Sequence, residues 1–110
     1  MGGTKMFTEK GNWFMGKRYV GEVDGFYVEA QVFGEPSMYG IAEGRISRLQ
    51  VYPDRSAGFG RCLANYDRGW DGGPPKDRRI RSVVEKTVRH FDGKNVDWSF
   101  EERRYQENLD

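Results

Sequence analysis

Seven consecutive residues, Asn65 to Asp71, read NYDRGWD and bring a tyrosine, an arginine, a tryptophan and two carboxylates into one short segment. Two neighbouring carboxylates could perform general acid–base work if one of them held its proton near neutral pH. Tyr, Arg and Trp are also the side chains that dominate the energetics of protein interfaces. A second set, Glu35, Tyr39, Glu43 and Arg45, lies in GEPSMYGIAEGR. Elsewhere the chemistry is sparse. His90 is the single histidine and Cys62 the single cysteine, so the chain forms no internal disulfide and no cysteine metal centre. A zinc site would need at least two carboxylates to complete it, and neither metal nor cofactor is expected. No Walker loop, dinucleotide fingerprint or HExxH motif occurs. His90 falls near the end of a helical stretch, where it complements the helix dipole. Cys62 falls within a strand-like stretch with nothing to activate it and reads as an inert buried thiol.

The elements that must position these residues follow from periodicity. Residues Phe14 to Val23 alternate bulky with polar or small side chains, Asp24-Gly25 is the preferred pair for a two-residue type I′ hairpin, and Phe26 to Val32 alternate strictly. A long loop, Gly34 to Gly44, leads to a third strand at Arg45–Tyr52, whose broken alternation allows a bulge or a sheet buried on both faces. A turn from Pro53 leads to a fourth strand, Phe59–Tyr66, whose inward face could be Phe59/Leu63 or Cys62/Ala64. After Gly72-Gly73-Pro74-Pro75 the period changes, and Ile80, Val83, Val84, Thr87, Val88 and Phe91 form one stripe of a helix from Pro75 to Phe91, closed by Gly93. Val96, Trp98 and Phe100 alternate, as a short strand or strap would, before the charged EERRYQENLD. Strands grouped before a helix imply an α+β fold: a four-stranded antiparallel sheet of two hairpins, one face covered by a C-terminal amphipathic helix. The expected organisation is a flexible leader over 1–11, one domain over 12–93, and a strap or partly disordered charged tail over 94–110.

At 110 residues the chain holds one domain and a modest core. Hydrophobic residues are 36% and charged residues 32%, but aromatics at 15% argue for a folded protein rather than a disordered one. The net charge of +1 gives no overall attraction to nucleic acid or anionic membrane. The charge is nonetheless uneven: Lys76 to Arg89 is basic, and the tail beyond Phe91 is acidic. No stretch approaches the roughly 20 apolar residues of a membrane span, and the N-terminus lacks the apolar segment of a secretion signal. The expectation is a soluble cytoplasmic protein, monomeric or paired through an edge strand.

The stretches WFMG, FYVEAQVFGEPSMYGIAEGRISRL and NYDRGWD resemble the signatures of a group of short bacteriophage- and mobile-element-encoded proteins. The most specific pieces are Ser37-x-Tyr39-Gly40-Ile41-x-x-Gly44-Arg45-Ile46-Ser47 and Asn65 to Trp70. The resemblance brings no assigned activity and no catalytic residues. It implies a bacterial host cell as the setting, and proteins of that setting commonly bind and inhibit host proteins, including antiviral defence systems.

In an up-and-down meander the end of the second strand, the start of the third and the end of the fourth lie at one end of the sheet. Glu35, Tyr39, Glu43 and Arg45 would therefore neighbour Tyr66, Asp67, Arg68, Trp70 and Asp71, on loops held by a rigid sheet. Three readings compete. In the first, Asp67, Arg68 and Asp71 pair locally and cap the helix while Trp70 closes the core. In the second, these nine residues form a docking surface for a host protein. In the third, the carboxylates make a small hydrolase or transferase site. A nucleic-acid-binding module is the alternative to protein docking, with Tyr19, Tyr27, Tyr52, Arg18, Arg48 and Arg61 on a sheet face and the basic helix beside it.

Overall fold

The computed structural model describes residues 6–13 and 16–109. It is α+β, with a five-stranded antiparallel meander in sequence order and two helices. The strands are β1 (Phe7–Trp13), β2 (Gly16–Val23), β3 (Phe26–Val32), β4 (Ile46–Tyr52) and β5 (Ala64–Asp67). The helices are α1 (Arg78–Asp92) and α2 (Trp98–Glu107).

The β2–β3 hairpin forms as its turn residues require. Asp24 and Gly25 both take positive φ, 53° and 87°, the pairing that lets a two-residue turn follow strand twist. Alternation in β3 sends Val28, Ala30 and Val32 into the core beside Ile46, Leu49 and Val51 of β4. α1 covers this face with Ile80, Val83, Val84 and Val88, all buried. Thr87 joins the stripe because its hydroxyl donates to the Val83 carbonyl at 2.8 Å, which satisfies it without water.

Five strands replace the expected four because Phe7–Trp13, which overlaps the expected leader, forms a strand. Phe7 begins an edge strand that pairs with β2, and its ring packs 5.0 Å from Phe91 and 5.1 Å from His90. The alternation is hidden by a register shift between Glu9 and Asn12, where Gly11 takes φ 114°. The expected start of the first strand, at Phe14, lies outside the described residues. The strand expected over Phe59–Tyr66 shortens to Ala64–Asp67 with Ala64 and Tyr66 inward. Phe59–Arg61 is instead a 3-10 turn that follows Gly58, and Phe59 and Leu63 are exposed. Cys62 closes that turn rather than lying in a strand. It is half-buried, its thiol donates to the Ala64 carbonyl, and burial pushes its pKa up.

α1 begins three residues after Pro75, at an N-cap formed by Asp77, whose carboxylate accepts from the Arg79 and Ile80 amides. The hydrogen bond from the Arg79 side chain, followed by the one from its amide, lowers the Asp77 pKa. Gly93 ends the helix in the left-handed conformation, φ 65°. The expected strap or disordered tail is α2, started by Asp97, which accepts from the Phe100 amide at 3.2 Å. Trp98 lies 6.0 Å from Trp70, donates to Glu85 at 2.6 Å, and carries the Arg81 guanidinium over its ring. No helix among the described residues is long and apolar enough to cross a membrane.

Candidate functional site

The loop between β3 and β4 and the turn after β5 meet at one end of the sheet. The Tyr66 hydroxyl donates to the Tyr39 carbonyl at 2.7 Å, and the Arg68 guanidinium lies 4.8 Å over the Tyr39 ring. The nine expected site residues divide into those that build this corner and those that face outward from it.

Tyr66, Trp70 and Arg45 are builders. Tyr66 is fully buried, and its ring meets Trp70 edge-on at 4.9 Å. Burial is the main reason its pKa rises to about 12, partly countered by Arg104. The folded state therefore keeps the phenol proton that the unfolded chain loses near pH 10. This contribution is complete below pH 10 and is lost as pH rises toward 12, by on the order of 2 kcal/mol. A Tyr66→Phe variant titrated by circular dichroism between pH 9 and 12 is expected to lose less stability than the parent over that window. An equal loss would assign the alkaline transition to other groups.

Trp70 is also buried, at 7% exposure, and its indole N–H donates to Glu101 at 2.9 Å. Arg45 ties the loop base to α1. Its Nε and its amide both donate to Asp92, each at 3.1 Å, and its two Nη atoms donate to the Phe33 and Phe91 carbonyls. Gly40 and Gly44 allow the loop to close, since a Cβ at Gly40 would collide with the Gly44 carbonyl and one at Gly44 with the Asp92 carboxylate.

α2 supplies what the sequence reading missed. Glu101 has no exposed surface. It accepts from Trp70, from the Ala42 amide at 2.9 Å and from Arg104 at 3.1 Å. Arg104 also donates to the Met38 carbonyl (2.9 Å), the Gly40 carbonyl (3.2 Å) and the Tyr66 hydroxyl (2.8 Å). One helix turn thus pins the loop, the β5 turn and the core end together. The visible signals were Asp97 as an N-cap and the Glu101/Arg104 spacing on a helix face.

Glu35, Tyr39, Asp67 and Arg68 face outward, and all four are exposed. Glu35, Tyr39 and Arg68 line an open groove of about 540 Å³ with Phe33, Pro36, Ser37, Gln31, Ser47 and Arg48. Of these only the first three were expected at the site. Ser47 and Arg48 are consecutive yet line one groove, because the β3–β4 register shifts after Gln31 and makes Ser47 the extra residue of a bulge. The Ser47 hydroxyl donates to Gln31, and Arg48 pairs with Asp67 at 3.7 Å. Glu43 and Asp71 are exposed and do not line the groove, and Asp71 accepts from Asn65 at 3.1 Å. Asp71 does not cap α1, nor does Asp67 or Arg68; Asp77 does. Among the described residues no group of three or more His, Cys, Asp and Glu could hold a metal.

The aromatic platform considered for nucleic acid splits. Tyr19 lies on the helix-covered face, 4.8 Å from Phe91, while Tyr27 and Tyr52 stand paired at 6.1 Å on the open face. Arg18, Arg48 and Arg55 beside them pair with Glu29, Asp67 and Glu22. Arg61 belongs to the turn at Phe59–Arg61.

No curated protein and no solved structure matches the chain. A family profile does match, over residues 12–92, which takes in β2 to β5, the groove loop, the Arg68 turn and α1 and stops short of α2. That span, well over half of the chain, makes this protein a member of DUF7678, a family described as a domain of unknown function.

Proposed function

We propose that this protein is a small non-enzymatic binding module that captures a partner protein in the groove between the β3–β4 loop and the Arg68 turn. The observation that carries this is the division of labour at the corner. Tyr66, Trp70, Arg45 and Glu101 consume their polar groups internally, whereas Tyr39 and Arg68 stack on each other and are left exposed over a concave surface. Aromatic and arginine anchors are the pattern of an interface centre. The carboxylates that an enzyme would need are all exposed, and Glu43 and Asp71 lie outside the groove, which favours binding over catalysis. Together with the resemblance to mobile-element proteins, this suggests a bacterial host protein, such as a defence component, as the partner and the host cytoplasm as the place. The test is affinity capture from bacterial lysate with tagged wild type and Tyr39→Ala side by side. The variant is expected to keep the parent melting temperature and lose at least about tenfold of the captured partner. Equal capture by both would remove the groove from the interface.

Nucleic acid is the weaker reading because each arginine on the open sheet face is interleaved with a carboxylate. Phosphate-driven affinity depends on uncompensated cations and falls steeply with salt.

A further inference from the structure

We infer that the groove selects an extended peptide segment in which an acidic side chain is flanked by an aromatic or large aliphatic one. This rests on the reading of the groove as a protein-binding site and names the chemistry of its partner.

Arg68 is the first reason. It sits at φ 61°, in the left-handed region, while Gly69 beside it does not take positive φ. A glycine or asparagine would suit that position at lower cost. The backbone is held there by the Arg68 amide donating to the Ser47 carbonyl and the Asp67 amide donating to the Gly69 carbonyl, both at 2.8 Å. The turn thus tolerates strain in order to present an arginine, stacked on Tyr39, to the groove. A stacked guanidinium keeps its outer N–H groups for a planar carboxylate.

The second reason is the rest of the lining. Phe33, Pro36 and Tyr39 provide apolar surface, and Ser47, Gln31 and Arg48 provide polar atoms on the sheet side. An apolar side chain and an adjacent carboxylate would be matched together. Glu35 in the groove and Asp67 against Arg48 offset part of the positive charge. That balance suits one carboxylate rather than a phosphate dianion or a polyanion. The shape argues for a polymer. Gly34 to Ser37, Tyr39 and Arg68 are all exposed, so the groove could not bury most of a small molecule in the way small-ligand pockets do.

The test is panning of the immobilised full-length protein against a random-peptide phage-display library, with Arg68→Glu and Tyr39→Ala as parallel baits. The expected result is enrichment of Asp or Glu next to Phe, Trp, Tyr, Leu or Ile on wild type. That acidic signature should vanish on Arg68→Glu, and exchanging the acid for its amide in a synthetic selected peptide should weaken binding by about tenfold or more. Enriched peptides that need Tyr39 but carry no acid would overturn the acidic specificity and leave the groove as a binding site. No enrichment over a blank bait, or peptides that bind the Tyr39→Ala protein equally, would overturn the groove reading itself.

Discussion

Glu101→Ala is expected to cost about 3–5 kcal/mol of stability, the range measured when one partner of a buried charged pair is removed. At about 4 °C per kcal/mol this lowers the melting temperature by roughly 12–20 °C. The effect has three parts. The Trp70 indole N–H is buried and has Glu101 as its acceptor, so truncation strands a donor whose desolvation has already been incurred. The Ala42 amide loses its acceptor while Ala42 and Glu43 both hold left-handed φ of 56°, a conformation that persists only where its surroundings enforce it. Arg104, itself largely covered, loses its carboxylate while still spanning Met38, Gly40 and Tyr66. Glu101→Gln keeps one carbonyl acceptor and offers an amide where the second oxygen stood, so a smaller loss of about 1–3 kcal/mol is expected. Denaturant unfolding of both variants measures the two costs. A Glu101→Ala protein within about 1 kcal/mol of wild type would mean that α2 does not anchor the corner.

The β2–β3 hairpin was legible because its evidence is local: two turn residues that need positive φ, and strict alternation beside them. The meeting of the β3–β4 loop with the β5 turn was legible too, since it follows from meander topology without any knowledge of packing. Trp70 and Tyr66 were harder. A Tyr, Trp and Arg cluster has the same composition whether it closes a core or faces a partner, and only burial separates the two. β1 was hidden because its bulge erases alternation and because Phe7 gains its partners, His90 and Phe91, from the far end of the chain. α2 was hidden by the apparent alternation of Val96, Trp98 and Phe100, which is equally compatible with two aromatics on a short helix after the Asp97 cap. Glu101 is the extreme case. A carboxylate in a charged tail reads as solvated, and its burial is decided by three donors that only the tertiary fold assembles.

The groove depends on a bulge whose position the sequence does not give, although the broken alternation of Arg45–Tyr52 allows one. A β-bulge at Ser47 brings two consecutive side chains to one surface, whereas regular alternation would send one of them inward. The left-handed Arg68 is equally silent in the sequence, where Gly69 is the more obvious occupant of a strained turn position.

Arg68→Gly separates function from fold at that position. Glycine relieves the left-handed strain, worth on the order of 1 kcal/mol, and forfeits the stacking on Tyr39, worth about 0.5–1 kcal/mol at an exposed site. The extra freedom of glycine in the unfolded chain takes back part of any gain. The melting temperature is therefore expected to stay within a few degrees of wild type, because the amide at position 68 still donates to the Ser47 carbonyl and the Asp67 amide to the Gly69 carbonyl, all backbone atoms. Partner affinity should behave differently. If Arg68 is the central charged anchor, its removal deletes the bidentate contact and leaves Tyr39 without the group stacked on it. A loss of about 100-fold, equivalent to roughly 2.7 kcal/mol, is the expected size for such a hot spot. Titration calorimetry against a peptide or partner selected by the wild-type protein measures the loss, and a thermal melt of the same sample measures the fold. Arg68→Lys distinguishes charge from geometry: it restores the charge without the planar fork, so affinity should recover only in part. Full binding by Arg68→Gly at unchanged stability would leave the arginine's strained position without a function. A large fall in melting temperature would make Arg68 one more of the residues that build the corner.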